Sequence, residues 1–543
     1  MKKYLFSAAV FTAVLISLSF NIMKDFPAQR EHKDSNPNNP QVLETRQLNV
    51  NNISTFFRNN GAFNRDFSTG NSGFEWPIGQ GKYARYASGI WLGGIVNGDT
   101  LLAIAEYDNE FLPGFIDDNG IHQGTNDPNY RIFNFSDNDT SDYGAWRSIA
   151  SLQGAYLNGS GNPFRMGSQT MFYSYSDGDS LSHMAVAGRT APLKAQILQT
   201  NWSYINMNTR DAVFTEYRVI NRGNRVWNNF YISIWTDDDL GYPLDDAVGI
   251  DTSAHTLLGY TYNFTDNDPD YGSAPPAVGF TILRGPVVPS PGDTVRYYNP
   301  PGSDNLVVRA NYKELKLSSF NNYTNGDPSA GDPTNFREAY RNMEGLKRDG
   351  TPWRDPVTNE ISQFPFSGSP ETSSGWIENT MGDRRSLLSI GPLTVNPGDT
   401  QSVIITQVIA RGSDNLNSIS KLRQIAQYVH GLYNTNFQSV SGISNISNSI
   451  PEKINLYQNY PNPFNPVTKI KFDIPADAGR SSSKVKLTVY NSLGREVITL
   501  VNTELRGGSY EVSFSGEGLS SGIYFYRLQA GENVQTKKMT LIK

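Results

Sequence analysis

Cysteine is absent from all 543 residues of the chain, which excludes disulfides, thiolate metal ligands and a cysteine nucleophile. It also excludes lipidation of a cysteine behind an N-terminal signal. A fold without such staples rests on apolar burial, helped at most by bound ions. Charge is scarce: charged residues make up 18% of the chain and the formal net charge is −6. No basic cluster stands ready to neutralise a run of phosphates, so no nucleic-acid partner is expected. Long apolar runs are missing too, apart from Leu5 to Leu18, which follows Lys2 and Lys3. That run is short for a bilayer crossing, and charge followed by apolar residues is the order of a secretory signal. We expect a signal peptide over residues 1–19, cleaved near Ser17 and Ser19, with an N-terminal anchor as the alternative. No transmembrane segment is expected in the mature chain.

What is present favours strands and turns: 48 glycines, 30 prolines and 12% aromatic residues. Residues 20–45 are polar and aperiodic, the composition of a disordered lead. From 46 to 437 the pattern is mainly strand. The segment 212–239, "AVFTEYRVINRGNRVWNNFYISIWTDDD", reads as a hairpin about "NRGN", and 390–410 repeats the device with Pro397, Gly398 and Asp399 as its turn. One stretch differs. Ile419, Leu422, Ile425, Ala426, Val429, Leu432 and Tyr433 follow helical spacing, with Asn417 or Ser418 placed to cap the start. A Ser/Asn-rich linker is expected over 438–453. From 454 to 543, six or seven short alternating strands predict a small immunoglobulin-like sandwich. The expected fold is all-β: a large multi-strand β-sandwich over 46–437, as one body or two halves, with a closing helix, then the small sandwich. The prolines of "NYPNPFNP" cannot donate to a ladder, so that segment should lead into an edge strand, with Tyr460 and Phe464 packing on the core.

The C-terminal segment carries Tyr460, Pro461, Asn462, Pro463 and Phe464 in "YPNPF", Gly494 in "NSLGR", Gly522 and Tyr524 in "SGIYF", and Lys537 and Lys538 in "TKKMTLIK". With these motifs in this order it closely resembles the type A C-terminal sorting domain of type IX secretion substrates of Bacteroidetes and related bacteria. The resemblance implies Sec export, engagement of the type IX secretion machinery, and passage across an outer membrane. It further implies cleavage of the domain and either release of the cargo or its attachment to surface polysaccharide. The mature protein is then secreted or held on the outer cell surface. The larger region resembles, through stretches such as "EWPIGQGKYARYASGIWLGG" and "DDDLGYPLDDAVGID", a recurring cargo region of such proteins to which no activity is attached.

Chemistry in the cargo points first to aspartate. Asp237, Asp238, Asp239, Asp245, Asp246 and Asp251 fall within fifteen residues. Crowded carboxylates repel one another unless solvated, protonated or neutralised, and calcium supplies neutralisation through oxygen ligands. The alternative is a solvated loop whose aspartates make turns. Spacing is not that of an EF-hand, since Val248 stands where the closing Glu would be. A second acidic loop, "NFTDNDPDYG", places Asp266, Asp268 and Asp270 at alternate positions and echoes "NFSDNDTSDYG" at 134–144. The echo means either two equivalent loops on related halves or shared turn composition, the second being favoured. The candidate metal ligands are therefore Asp237, Asp239, Asp245, Asp246, Asp251, Asp266, Asp268 and Asp270, with calcium the one cofactor expected.

Catalytic signatures are thin. His32, His122, His183, His255 and His430 lie far apart and form no H-E-x-x-H pair, and "GLSSG" at 518–522 meets the G-x-S-x-G pattern only at a turn. Glu106 and Glu216 with Trp76, Trp91, Trp146, Trp202, Trp227 and Trp235 are the parts of a glycosidase, but no spacing selects a pair. The reading is a non-enzymatic secreted or cell-surface protein with a structural or binding role. The alternative is a carbohydrate-active enzyme or carbohydrate-binding module. Deleting residues 454–543 is expected to leave the protein in the periplasm; cell fractionation checks this, and normal surface delivery would refute it.

Overall fold

The computed structural model describes residues 43–437, except 108, 137, 206–208 and 254–255, then 443–447 and 451–542, except 466, 476–482, 506 and 517–518. The expected signal peptide, residues 20–42 of the lead, much of the 438–453 segment, His32 and His255 lie outside the described residues.

The cargo region contributes β1 (Ala87–Val96), β2 (Asp99–Ile104), β3 (Phe133–Ser136), β4 (Gln169–Ser176), β5 (Ala195–Ser203), β6 (Ala212–Asn221) and β7 (Trp227–Asp238). It continues through β8 (Asp246–Asp251), β9 (Leu258–Asn263), β10 (Ala277–Arg284), β11 (Ser319–Thr324), helix α1 (Phe336–Met343), β12 (Arg384–Val395), β13 (Thr400–Ala410) and helix α2 (Asn415–Asn434). The two largest of its sheets are antiparallel. The larger runs β3-β4-β5-β6-β13-β10-β9-β8, and the smaller runs β11-β12-β7-β1-β2.

The two expected hairpins are not hairpins. β6 pairs with β13 in the large sheet, whereas β7 pairs with β12 in the small one. Each expected turn therefore steps from one sheet to the other. The connection 222–226 is long enough to cross the ~10 Å between packed sheets, and β6 is buried along nearly its whole length, so it needs neighbours on both sides. The two crossings clasp each other. Gly398 N–H donates to Asn221 O at 2.8 Å, and Asn221 N–H donates to Asp399 O at 3.1 Å. The Asn221 side chain, fully buried, donates from Nδ2 to Arg225 O at 2.9 Å and to Val395 O at 3.0 Å.

Period-two alternation then fills three layers. On β7, Ile232 and Ile234 face the core between the sheets, with Ile90, Leu92, Leu388 and Ile390 beside them and Ile197, Tyr217, Val219 and Ile405 opposite. The alternate residues Tyr231 and Trp235 point outward with Trp91, under α1. Gly93 makes room for that helix: a Cβ there would come within 2.7 Å of Met343 Sδ. On the outer face of the large sheet, α2 buries Ile419, Leu422, Ala426, Val429 and Leu432 against Phe214, Leu258, Tyr260, Ile404 and Val408. The expected helix is thus present, but its cap is Asp414, whose Oδ1 accepts from Asn417 N–H at 2.7 Å. Neither Asn417 nor Ser418 caps it, because Asn415 and Leu416 already belong to its first turn.

The C-terminal part contains β14 (Ile443–Ser447), β15 (Asn455–Leu456), β16 (Val467–Ile474), β17 (Ser483–Asn491), β18 (Glu496–Leu505), β19 (Gly508–Ser515), β20 (Gly522–Ala530) and β21 (Asn533–Leu541). They form two four-stranded sheets, β14-β19-β16-β15 and β18-β17-β20-β21. Their buried core, which includes Phe464, Phe472, Leu487, Val512, Tyr526, Leu528 and Met539, is built only from this part of the chain. Within the 438–453 stretch, β14 pairs antiparallel with β19. Phe464 is buried as expected, but Tyr460 is not: it is 81% exposed. Its backbone bridges to Lys469 on β16, and that register turns the ring to solvent.

Replacing Asn221 with Ala removes the side-chain bond that joins the crossings, leaves the buried Val395 carbonyl short of a donor and frees the Arg225 carbonyl. Urea unfolding should show a loss of about 2–3 kcal/mol; a loss below about 0.5 kcal/mol would show that the clasp contributes little.

Candidate functional site

The acidic run "TDDD" sits where β7 ends, and the strand's pleat splits it. Asp238 points inward between the sheets, where it accepts from Arg85 Nη1 at 2.9 Å, Thr236 Oγ1 at 2.7 Å and Thr261 Oγ1 at 2.7 Å. Arg85 is completely buried, with its guanidinium 4.0 Å from the Phe280 ring centroid. Asp237 points outward. The β7–β12 register sets it opposite Arg385 and brings Asp383 to the same edge. Tyr107 O–H donates to Asp237 Oδ2 at 2.5 Å, and Arg385 Nε donates to that hydroxyl at 2.8 Å. Arg385 also lies 3.5 Å from Asp237 Oδ1, 3.4 Å from Asp332 and 3.0 Å from Asp383.

Asp239, just past the strand, completes the group. One carboxylate oxygen from each of Asp237, Asp239 and Asp383 lies within 4.8 Å of the others. Burial pushes Asp237 up to about 7 against the pull of Arg385, with Asp383 adding repulsion. Burial pushes Asp239 up to about 8, reinforced by repulsion from Asp237 and Asp383. One guanidinium faces three carboxylates here, so the group is left short of positive charge. Asp383 was not a sequence candidate. It stands 144 residues beyond Asp239, and only the strand register joins them.

The other candidate ligands lie apart from this trio in their bonding. Buried Asp246 accepts from Leu240 N–H at 3.1 Å, and burial holds its carboxyl well above the ordinary range. Asp245 and Asp268 both accept from Asn263 Nδ2, at 2.7 and 3.3 Å. Asp268 also accepts from Tyr242, Asp270 and Tyr271 N–H groups, which makes it the organiser of its own turn. Asp251 pairs with Arg423 at 3.2 Å, exposed Asp266 accepts from Asn415 N–H at 2.8 Å, and Asp270 is exposed. The echoing loops occupy different settings: "NFSDNDTSDYG" leads from β3 into the short helix Tyr143–Ser148, whereas "NFTDNDPDYG" closes a two-residue ladder, Asn267–Asp268 with Gly272–Ser273.

The parts expected of a glycosidase are otherwise engaged. Glu216 is buried on the large sheet against Arg284 at 2.6 Å, while Glu106 follows β2 of the small sheet. Every tryptophan of the chain is buried, the most exposed reaching only 8%. The described histidines are also packed: His122 bonds Ser176 and Thr125, His183 lies between Glu110 and Asp177, and His430 Nε2 meets Thr256 O at 3.0 Å.

In the C-terminal sandwich, Asn459 and Phe464 are buried whereas Pro461, Asn462, Pro463 and Lys538 are exposed and Lys537 is half-buried. Gly494, at φ +73°, makes the left-handed turn between β17 and β18. Tyr524 O–H donates to Ser520 O at 2.8 Å, two residues before Gly522 opens β20.

These features define a small two-sheet module that follows a larger cargo region built around two main sheets. Residues 458–543 match the secretion system C-terminal sorting domain, and this segment is a Por secretion system sorting domain. A domain of this family marks a chain for secretion across the outer membrane. No helix among the described residues is long and apolar enough to cross a membrane. No sequence among curated proteins matches the chain. A solved polysaccharide lyase aligns at 8% identity over 93% of this chain and 46% of its own length, with a TM-score of 0.22. The chain thus spans less than half of that lyase, and a likeness this weak bears on neither fold nor chemistry.

Unfolded aspartates ionise near 3.8, so between pH 6 and 8 only the folded state takes up protons at Asp237 and Asp239. Stability from these two groups therefore falls as pH rises through that window. In chelator, Asp239→Asn should raise the melting midpoint at pH 8 and flatten its fall from pH 6 to 8 relative to the parent. A variant with the parent's midpoint and slope would refute the assigned repulsion.

Proposed function

We propose that the exported cargo is a non-enzymatic extracellular protein with a structural or binding role, stabilised by calcium at Asp237, Asp239 and Asp383. The observation that carries this reading is the state of the chain's chemical groups. Carboxylates are spent on buried ion pairs, turns and caps, and all the aromatic rings best suited to stacking on sugars lie in the core. At the end of β7 three carboxylates come together within 4.8 Å of one another with one guanidinium, Arg385, beside them. Oxygen-only ligands suit calcium, and a cation there would offset the burial, and the repulsion added to it, that otherwise hold protons on Asp237 and Asp239. Outside the cell calcium is plentiful, and a cysteine-free sandwich gains a cross-link between β7 and β12. After passage, the cargo is released or held on surface polysaccharide.

Millimolar calcium at pH 8 should raise the melting midpoint by about 3–5 °C over chelator, and Asp383→Asn should abolish the gain. An unchanged midpoint eliminates the ion. Release of reducing or unsaturated sugars from a polysaccharide panel by the 46–437 region would replace the non-enzymatic reading with the carbohydrate-active one.

A further inference from the structure

The sorting-domain motif divides into residues that fold the module and residues that folding does not use. Asn459, 2% exposed, donates from its backbone N–H to the Tyr526 hydroxyl at 2.9 Å. Its Nδ2 donates to Pro461 O at 3.0 Å and to Thr468 Oγ1 at 2.9 Å. Phe464, 1% exposed, packs its ring 5.7 Å from that of Phe514, and its N–H donates to Thr540 O at 2.9 Å. Asn462 Oδ1 accepts from Thr540 N–H at 2.9 Å. These contacts nail both ends of the segment to the sandwich.

Between the nails the chain presents an aromatic ring and two pyrrolidines to solvent. Tyr460 is 81% exposed, and Pro461 and Pro463 are exposed beside it. Tyr460 exchanges two backbone hydrogen bonds with Lys469, at 2.9 and 3.0 Å, so the outward direction of its ring is built into the ladder. A stiff loop carrying an exposed tyrosine has already met, during folding, much of the ordering cost of binding. The prolines account for an edge that resists stray strand pairing, but that purpose does not require the ring.

The surroundings are basic. The Lys469 and Lys471 side chains are 60% and 54% exposed and share one carboxylate, Glu511. Exposed Lys538 adjoins the loop, its carbonyl accepting from Gln458 Nε2 at 2.8 Å. From residue 454 onward eleven Lys and Arg face seven Asp and Glu, while the whole chain has 46 against 52. A net positive tail is joined to a net negative cargo.

We propose that the Tyr460–Pro463 loop, flanked by Lys469 and Lys538, is the face by which the sorting domain docks on an acidic protein surface of the export machinery. Tyr460 enters an apolar recess there, and the lysines meet carboxylates at its rim. An acidic partner attracts the tail and repels the cargo, which orients the chain tail-first. The inference rests on the sorting-domain assignment and names the side of the domain that is read.

The test uses the full chain in the bacterium that makes it, with Tyr460→Ala, Tyr460→Phe, Lys538→Glu and the 454–543 deletion followed by fractionation. Tyr460→Ala and Lys538→Glu should each lower the surface-delivered fraction about tenfold, Tyr460→Phe should restore most of it, and the purified variants should melt like the parent. Normal delivery of both variants, with the deletion retained in the periplasm, overturns the docking face alone. Normal delivery of the deletion overturns the sorting assignment itself. Delivery followed by loss of cell attachment overturns the proposal in favour of a polysaccharide contact, and Lys538→Glu decides the matter if Tyr460→Ala melts early.

Discussion

The crossing of β6–β7 over β12–β13 is the constraint on which the cargo fold depends. Each pair leaves one sheet and enters the other, so neither sheet can form without its partner. Asn221 holds the two crossings together through its bond to Val395, while its bond to Arg225 braces its own crossing. With no disulfide available, this arrangement does what a cross-link would otherwise do. It joins positions 174 residues apart and fixes the register of both central strand pairs. The positions of Asp237 opposite Arg385, and of Asp383 beside them, follow directly from that register.

Burying so much charge has a cost that the structure meets by pairing. Arg85–Asp238, Arg284–Glu216 and Arg384–Glu378 all lie inside at 2.6–2.9 Å. Such pairs add little net stability, yet removing one partner strands the other in a medium of low dielectric. They act against mispacking, since a strand slipped by one residue would expose apolar faces and bury lone charges. Around Asp237, Asp239 and Asp383 the carboxylates outnumber the guanidinium, and their oxygens converge within 4.8 Å of one another.

The sorting domain follows a different plan. Its buried core is built from its own residues. Its motif uses Asn459 and Phe464 to anchor a loop and leaves Tyr460 in water, which fits a module whose task is to be handled by another protein.

The sorting domain, the strand-rich character, the α2 helix and the six main tail strands were legible in local patterns, because period, turn residues and the sorting motif act over a few residues. The same reasoning placed Tyr460 in the core, since local pattern does not reveal which way an edge segment faces. It made hairpins of two sheet crossings, since a turn signal marks where a chain reverses and not whether the next strand joins the same sheet. It grouped eight aspartates by proximity in sequence, whereas the pleat sent Asp238 inward, Asp237 outward, and drew in Asp383 from far along the chain. Composition and short-range periodicity were thus settled by the residues themselves, and the meeting of distant carboxylates was decided only when strand pairing set the register.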